Sequence, residues 1–249
     1  MPDLLASRSG QAALRRLGTS RALLAFDLDG TLAPLVPCRT DALVPPETAA
    51  QLQALARRWP VAVITGRRVA DARERLGFAP RYLVGNHGAE RAGRPMALGL
   101  SRRLDASRAL LQRHAGALRH RGVELEDKGL SLALHYGRMA APEDTRSWLD
   151  ALLAPCGAGL CCSHGHNVLN VTLAAAPHKG DALLSVMRHC GAERALVVGD
   201  DSNDEAAFAG APNGSVTVRI GPAEVATQAR FRLVSQQQVE PLLARLLSL

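Results

Sequence analysis

Aromatic side chains make up only 3% of the 249 residues, so the stacking platforms that grip single-stranded nucleic acid are scarce. No apolar run reaches the roughly 18–20 residues that a membrane span needs. Residues 1–18 alternate Arg with small side chains and contain no apolar stretch, so the expectation is a soluble, unexported protein of the cytoplasm. Lysine is nearly missing: of the 30 Lys and Arg residues only Lys128 and Lys179 are Lys, leaving 28 Arg. In such a chain a lysine marks a position where a compact ammonium on a flexible stem suits better than a planar fork. The five cysteines are odd in number, two are adjacent at Cys161 and Cys162, and none forms a Cys-x-x-Cys pair. That speaks against a disulfide framework or a zinc site and for small buried hydrophobes in a reducing compartment. Internal repeats and low-complexity linkers are also lacking.

What is present is a globular chain, 47% hydrophobic and 21% charged, long enough for one large domain or two modest ones. A net charge of +7 favours anionic partners, nucleic acid and phosphorylated metabolites alike. Short apolar runs at 22–26 and 61–64 read as buried strands and 81–84 as a third strand, separated by helices, the first opened by Pro45-Pro46-Glu47 and the second covering 69–76. This rhythm returns after Lys179, with a helix over 181–190, strands over 195–198, 216–220 and 231–234, a short helix between the last two, and a closing helix over 239–247. Strand and helix alternating at this spacing imply parallel pairing through right-handed crossovers. The expected fold class is α/β, a Rossmann-like parallel-sheet core spanning 21–92 and 176–249, with 1–20 as a loose arm or short helix. Residues 93–175 keep another rhythm: a helix over 101–120 with Leu104, Leu111 and Leu118 seven apart, strands over 123–126 and 130–136, and a helix over 142–153. A hairpin of 160–163 and 168–173, turning through His164-Gly165-His166-Asn167, completes an inserted α+β unit.

The chemistry concentrates where strands end. Asp27-Leu28-Asp29-Gly30-Thr31 comes directly after the first apolar run, and ligands of open parallel sheets bind beyond the carboxyl ends of the strands. A helix-loop-helix calcium site would need further oxygen ligands, but Leu32 to Val36 are apolar apart from their backbone. Thr65 ends the second strand and can offer a hydroxyl and a backbone N–H to an anion. Lys179 opens a helix, an odd place for a cation unless an anion lies between it and the helix N-terminus. Asp200 comes after a further buried strand, and Ser202 and Glu205 have capping-box spacing into the next helix. Three clustered carboxylates need a counter-charge, and few oxygen ligands with room for water and phosphate suit Mg²⁺.

Asp27-x-Asp29-Gly-Thr, Thr65, Lys179 and Gly199-Asp200-x-x-x-Asp204, in this order at strand ends, resemble the four signatures of the haloacid-dehalogenase-like phosphatase superfamily. Within it, Gly85-x-His87-Gly88-x-Glu90, Glu126-Asp127-Lys128 with Ser131 to Tyr136, and Gly199-Asp200-Asp201-x-x-Asp204-Glu205 are similar to the trehalose-6-phosphate phosphatase family. The resemblance implies that Asp27 is the nucleophile forming an aspartyl-phosphate and that Asp29 is the acid and then the base. Thr65 and Lys179 would hold phosphoryl oxygens. Mg²⁺ would sit on Asp27, the backbone carbonyl of Asp29 and Asp200, supported by Asp204. It also makes 93–175 a cap domain for substrate specificity, with Glu126, Lys128 and His135 as sugar contacts, and adds Arg67, His87 and Glu90 as substrate contacts in the core. Asn170 stands where the family carries a sugar-binding Glu, and Gly137 comes after Tyr136 where an Arg is usual. The expectation is a Mg²⁺-dependent phosphatase releasing trehalose from trehalose 6-phosphate, as a monomer or weak dimer without nucleic-acid or membrane partners. The rivals are a phosphatase for another glycosyl or sugar phosphate and a non-catalytic sugar-phosphate sensor.

Overall fold

The structure, a computed structural model, describes residues 1–94, 98–136, 142–157, 159–165 and 167–249. Gly137 and His166, both used in reading the inserted unit, lie outside the described residues. The chain divides into two compact units, Met1–Ala92 with Pro177–Leu249, and Gly93–Ala176.

The first unit begins with helix α1 (Arg8–Gly18), capped by Ser7, whose hydroxyl accepts from Gly10 N at 3.0 Å. Residues 1–20 are not a loose arm: Leu4, Leu14 and Leu17 are buried in the main apolar cluster, and Leu4 N donates to Arg232 O at 2.9 Å. Burying three leucines ties this segment to the core by several kcal/mol, at about 1.5–3 kcal/mol each. Then come strand β1 (Ala22–Phe26), α2 (Pro46–Leu55), β2 (Val61–Ile64), α3 (Val69–Arg75), β3 (Tyr82–Gly85) and the two-residue β4 (Glu90–Arg91).

The second unit holds α4 (Leu98–Arg102), α5 (Asp105–Arg113), α6 (Ala115–His120), β5 (Glu124–Asp127), β6 (Leu132–His135), α7 (Pro142–Leu153), β7 (Leu160–Gly165) and β8 (Val168–Leu173). Its antiparallel sheet runs β5-β6-β8-β7. The helix expected over 101–120 is three short pieces, broken at Leu104 and at His114, whose Nδ1 lies 3.0 Å from Leu110 O. Leu104, Leu111 and Leu118 are nonetheless all buried, so the heptad marks the inward face although the backbone bends between its turns.

The chain returns to the first unit with α8 (Lys179–Cys190), β9 (Arg194–Gly199), α9 (Glu205–Gly210), β10 (Val216–Ile220), β11 (Phe231–Leu233) and α10 (Val239–Leu247). Residues 221–230, expected to include a short helix, form turns, beginning with Gly221 at φ 131° and Pro222. The sheet order is β11-β10-β9-β1-β2-β3-β4, parallel throughout except for the antiparallel β3–β4 pair. Period-two alternation sends Leu24 and Phe26 to one face, with α1, α2 and α10, and Leu23 and Ala25 to the other, with Leu183 and Val186 of α8. None of the five cysteines is fully buried, contrary to expectation; all are free thiols, and Cys161 and Cys162 are exposed on β7. Among the described residues no helix is long and apolar enough to cross a membrane.

Candidate active site

The chain leaves β1 in one direction to β2 and β3, and later returns on the other side through β9, β10 and β11. The strand order therefore reverses at β1, and the carboxyl end of β1 is the crevice in which a parallel sheet offers a ligand site. Asp27 lies there, 7% exposed; its N–H donates to Val198 O of β9 at 2.9 Å and its Oδ1 accepts from Leu28 N at 2.7 Å. Leu28 is fully buried, so the chain turns its apolar residue inward and presents an acid on either side of it.

Lys179 is the first residue of α8, only 2% exposed, and its Nζ lies 2.8 Å from Asp27 Oδ2 and 2.7 Å from Asp204 Oδ1. The cation at a helix N-terminus is thus explained by two buried anions. Burial works against this ammonium, but Asp204 and Asp27 outweigh it and its pKa rises. Asp204 is equally committed: its Oδ2 accepts from the N–H groups of Asp200 and Asp201 at 3.1 and 3.0 Å. The capping box at this loop pairs Asp201 with Asp204, not Ser202 with Glu205, because the helical turn starts one residue earlier than the Ser spacing suggests. Asp200 Oδ1 accepts from the Thr31 hydroxyl at 3.1 Å. Gly30, at φ 73°, lets this carboxylate lie against the first loop: a Cβ there would fall 2.0 Å from Asp200 Oδ2.

Asp27, Asp200 and Asp204 each offer an oxygen within 4.8 Å of the others. Against three carboxylates stands one ammonium. Burial first, then Asp204 and Asp200, hold the Asp27 carboxyl well above the usual range, with Lys179 opposing. Burial, then Asp204, push the Asp200 carboxyl up to about 7, again against Lys179. A divalent cation is the counter-charge that would let all three ionise, and these oxygens fit one. A carboxyl whose folded pKa lies above its unfolded value holds its proton better when folded. Its contribution is complete below about pH 4 and lost above about pH 7. The metal-free protein should therefore melt several degrees lower at about pH 7.5 than at about pH 5, with Asp200→Asn flattening the slope and a divalent cation raising the higher-pH value. Melting curves in chelator and in metal check this; a metal-free melting temperature that rises across that window contradicts it.

Asp29, whose side chain is 34% exposed, meets Arg67 in a two-pronged contact, Nε to Oδ2 at 2.7 Å and Nη2 to Oδ1 at 2.6 Å. Arg67 also donates to Asp71 at 2.7 Å and to Arg39 O at 2.9 Å, so four of its five N–H donors have partners inside the core. Thr65 is fully buried; its N–H donates to Val84 O at 2.9 Å, so of the two donors expected for an anion only the hydroxyl is available, oriented by accepting from Arg67 N at 3.1 Å. His87 is buried, and Glu90 Oε2 accepts from Asn86 Nδ2 at 2.6 Å and Val69 N at 3.0 Å.

In the second unit, Glu126 pairs across the sheet with Ala133, and Ala133 with Asn170. Cross-strand partners share a face, and residues two apart on a strand share it too, so Glu126, His135 and Asn170 lie on one side of this sheet, and Lys128, just beyond the end of β5, brings its ammonium to Glu126 there. Glu126 Oε2 is 3.0 Å from His135 Nε2 and 3.9 Å from Lys128 Nζ. Lys128 and Asn170 are buried. Thr31, Asp201 and Asp71 join the site without a role expected from the sequence. Thr31 has a signal there, since it closes the Asp-x-Asp-Gly-Thr stretch, whereas the partners of Asp71 become visible only when Arg67 and Arg75 converge on it at 2.7 and 2.6 Å.

The sequence profile of the trehalose-phosphatase family matches residues 25–237. The trehalose-phosphate phosphatase of Mycobacterium marinum is 33% identical over 248 residues, covering 93% of this chain and 63% of that protein. The chain thus spans less than two thirds of that relative. The trehalose-6-phosphate phosphatase of Escherichia coli is 31% identical over 223 residues, covering 86% of this chain and 82% of the relative. Among solved structures, the C-terminal domain of trehalose-6-phosphate phosphatase from C. albicans aligns with a TM-score of 0.80 at 20% identity, covering 99% of this chain and 98% of that one. A haloacid dehalogenase-like hydrolase from B. subtilis aligns at 0.63 and 16% identity, covering 89% and 98%; both share the fold.

Proposed function

The chain belongs to the trehalose-phosphatase family, and on that premise we propose that it is a cytoplasmic Mg²⁺-dependent phosphatase that hydrolyses trehalose 6-phosphate to trehalose and phosphate. The observation that carries the reading is the buried Asp27–Lys179–Asp204 cluster, with Asp200 beside it, at the reversal point of the sheet. A carboxylate oxygen of Asp27 attacks phosphorus in line with the ester oxygen; the P–O bond to the sugar breaks and an aspartyl-phosphate forms. Asp29 protonates the departing sugar oxygen, then takes a proton from the water that attacks the same phosphorus and frees Asp27. The Arg67 fork fixes the Asp29 carboxylate and leaves each of its oxygens a second lone pair for that proton. Lys179 and the Thr65 hydroxyl steady the phosphoryl oxygens. Mg²⁺, held by Asp27, the Asp29 carbonyl and Asp200 with Asp204 behind, would neutralise phosphoryl charge when bound.

The inserted unit serves as the cap. The shared polar face of Glu126, Lys128, His135 and Asn170 supports its role in holding a sugar. Asn170, in place of the family's Glu, offers a neutral acceptor and a donor, and this favours as second reading a different glycosyl phosphate. Phosphate release across a panel of sugar phosphates decides between them. Trehalose 6-phosphate should give the highest kcat/KM; a larger value for another sugar overturns the first reading, and no turnover of any leaves a sensor.

A further inference from the structure

Three successive residues, Asn86, His87 and Gly88, have φ of 48°, 58° and 123°, and two of them carry side chains. Non-glycine residues held in that region persist only where their surroundings over-determine them, and such sites cluster near function. Here the surroundings are the phosphoryl-binding elements themselves. Asn86 N donates to Arg67 O at 2.8 Å and His87 N to Thr65 O at 3.0 Å, so the turn is bonded to both ends of Thr65-Gly66-Arg67. The His87 ring lies against Gly66, where a Cβ would fall 2.4 Å from its Cε1. On the other side, a Cβ on Gly88 would fall 2.5 Å from the carbonyl oxygen of His178, the residue before Lys179. Glu90 closes the turn by accepting from Asn86 Nδ2 and from Val69 N, the first residue of α3.

We propose that the 86–90 turn is a spacer wedged between Thr65 and Lys179, and that His87 and Glu90 act as positioning residues for phosphoryl binding, not as contacts to the sugar. The proposal rests on the reading of Thr65 and Lys179 as the phosphoryl-holding groups. Each part then has a chemical reason. Gly88 permits the closest approach to His178, Asn86 tolerates the left-handed backbone, and Glu90 supplies one acceptor oxygen to two donors.

The test separates phosphate from sugar. Orthovanadate inhibition reports the phosphoryl site, trehalose inhibition reports the sugar site, and melting curves report folding. Glu90→Ala should weaken orthovanadate about tenfold or more and lower kcat by a similar factor, with trehalose inhibition unchanged to within about twofold. Glu90→Gln, which keeps an acceptor oxygen, should recover most of the loss. Gly88→Ala should show the same pattern more strongly by displacing Lys179; if it fails to fold, the Glu90 pair decides. Weakened trehalose inhibition with orthovanadate affinity intact in Glu90→Ala overturns the proposal, as does a Gln variant no better than Ala. A wild-type enzyme insensitive to orthovanadate removes the reading of the site and the spacer together, whereas a sensitive wild type with equally sensitive variants removes the spacer alone.

Discussion

Asp27→Asn is expected to lower kcat by roughly 10⁴-fold or more while the protein still binds its sugar phosphate within a few-fold of wild type. The amide is nearly isosteric, so the backbone bond from Asp27 N to Val198 O and the packing of β1 against β9 are untouched. What disappears is the anionic oxygen that must attack phosphorus: an amide is too weak a nucleophile to form the acyl phosphate. Lys179 keeps Asp204 at 2.7 Å, so the ammonium is not stranded and the fold survives. Steady-state rates at saturating substrate, with calorimetric titration of the variant, check both halves. A variant that retains a tenth of the wild-type rate contradicts the assignment of Asp27.

Lys179→Met should be the next most damaging change, and it should act on stability as well as rate. Removing the ammonium leaves Asp27 and Asp204 facing each other in a buried site with their shared partner gone. Breaking a buried ion pair in this one-sided way costs about 3–5 kcal/mol. For a chain of this length that is a melting temperature lower by roughly 10 °C or more. The rate should fall by about 10³-fold, since the transferring phosphoryl oxygens lose their fixed positive charge. The two effects separate with metal: a divalent cation supplies counter-charge to the same carboxylates, so millimolar Mg²⁺ should restore part of the stability but little of the rate. Melting curves and turnover measured with and without Mg²⁺ check it; a variant as stable as wild type in chelator contradicts the buried triad.

Much of this site is legible in the amino-acid sequence, because the residues that carry it sit where local patterns are strongest. Apolar runs of four to six residues mark the strands, and the residue after each run therefore falls at the carboxyl edge of the sheet. Lys179 stands out for two independent local reasons, its rarity and its place at a helix start, and the structure answers both with Asp27 and Asp204. Long-range pairing is where pattern fails. Nothing local says that the Arg67 fork turns back on Asp29 and Asp71, or that the Thr65 N–H is consumed by Val84. Leu4 looks like part of a loose arm until its N–H meets Arg232 O of β11 and its side chain joins the main apolar cluster. The break of the 101–120 helix at His114 is likewise invisible to a heptad count, since the buried leucines keep their spacing across it.

In the proposed mechanism one side-chain oxygen at the end of β1 takes the phosphoryl group before water does. Quenching the enzyme during turnover of its best sugar phosphate, reducing any acyl phosphate with borohydride and mapping the peptides tests this step without an intermediary. Asp27 should be found converted to homoserine in proportion to the trapped intermediate, and no conversion should occur without substrate. A burst of sugar release with Asp27 unmodified, or the reduced residue found elsewhere in the chain, would contradict the mechanism.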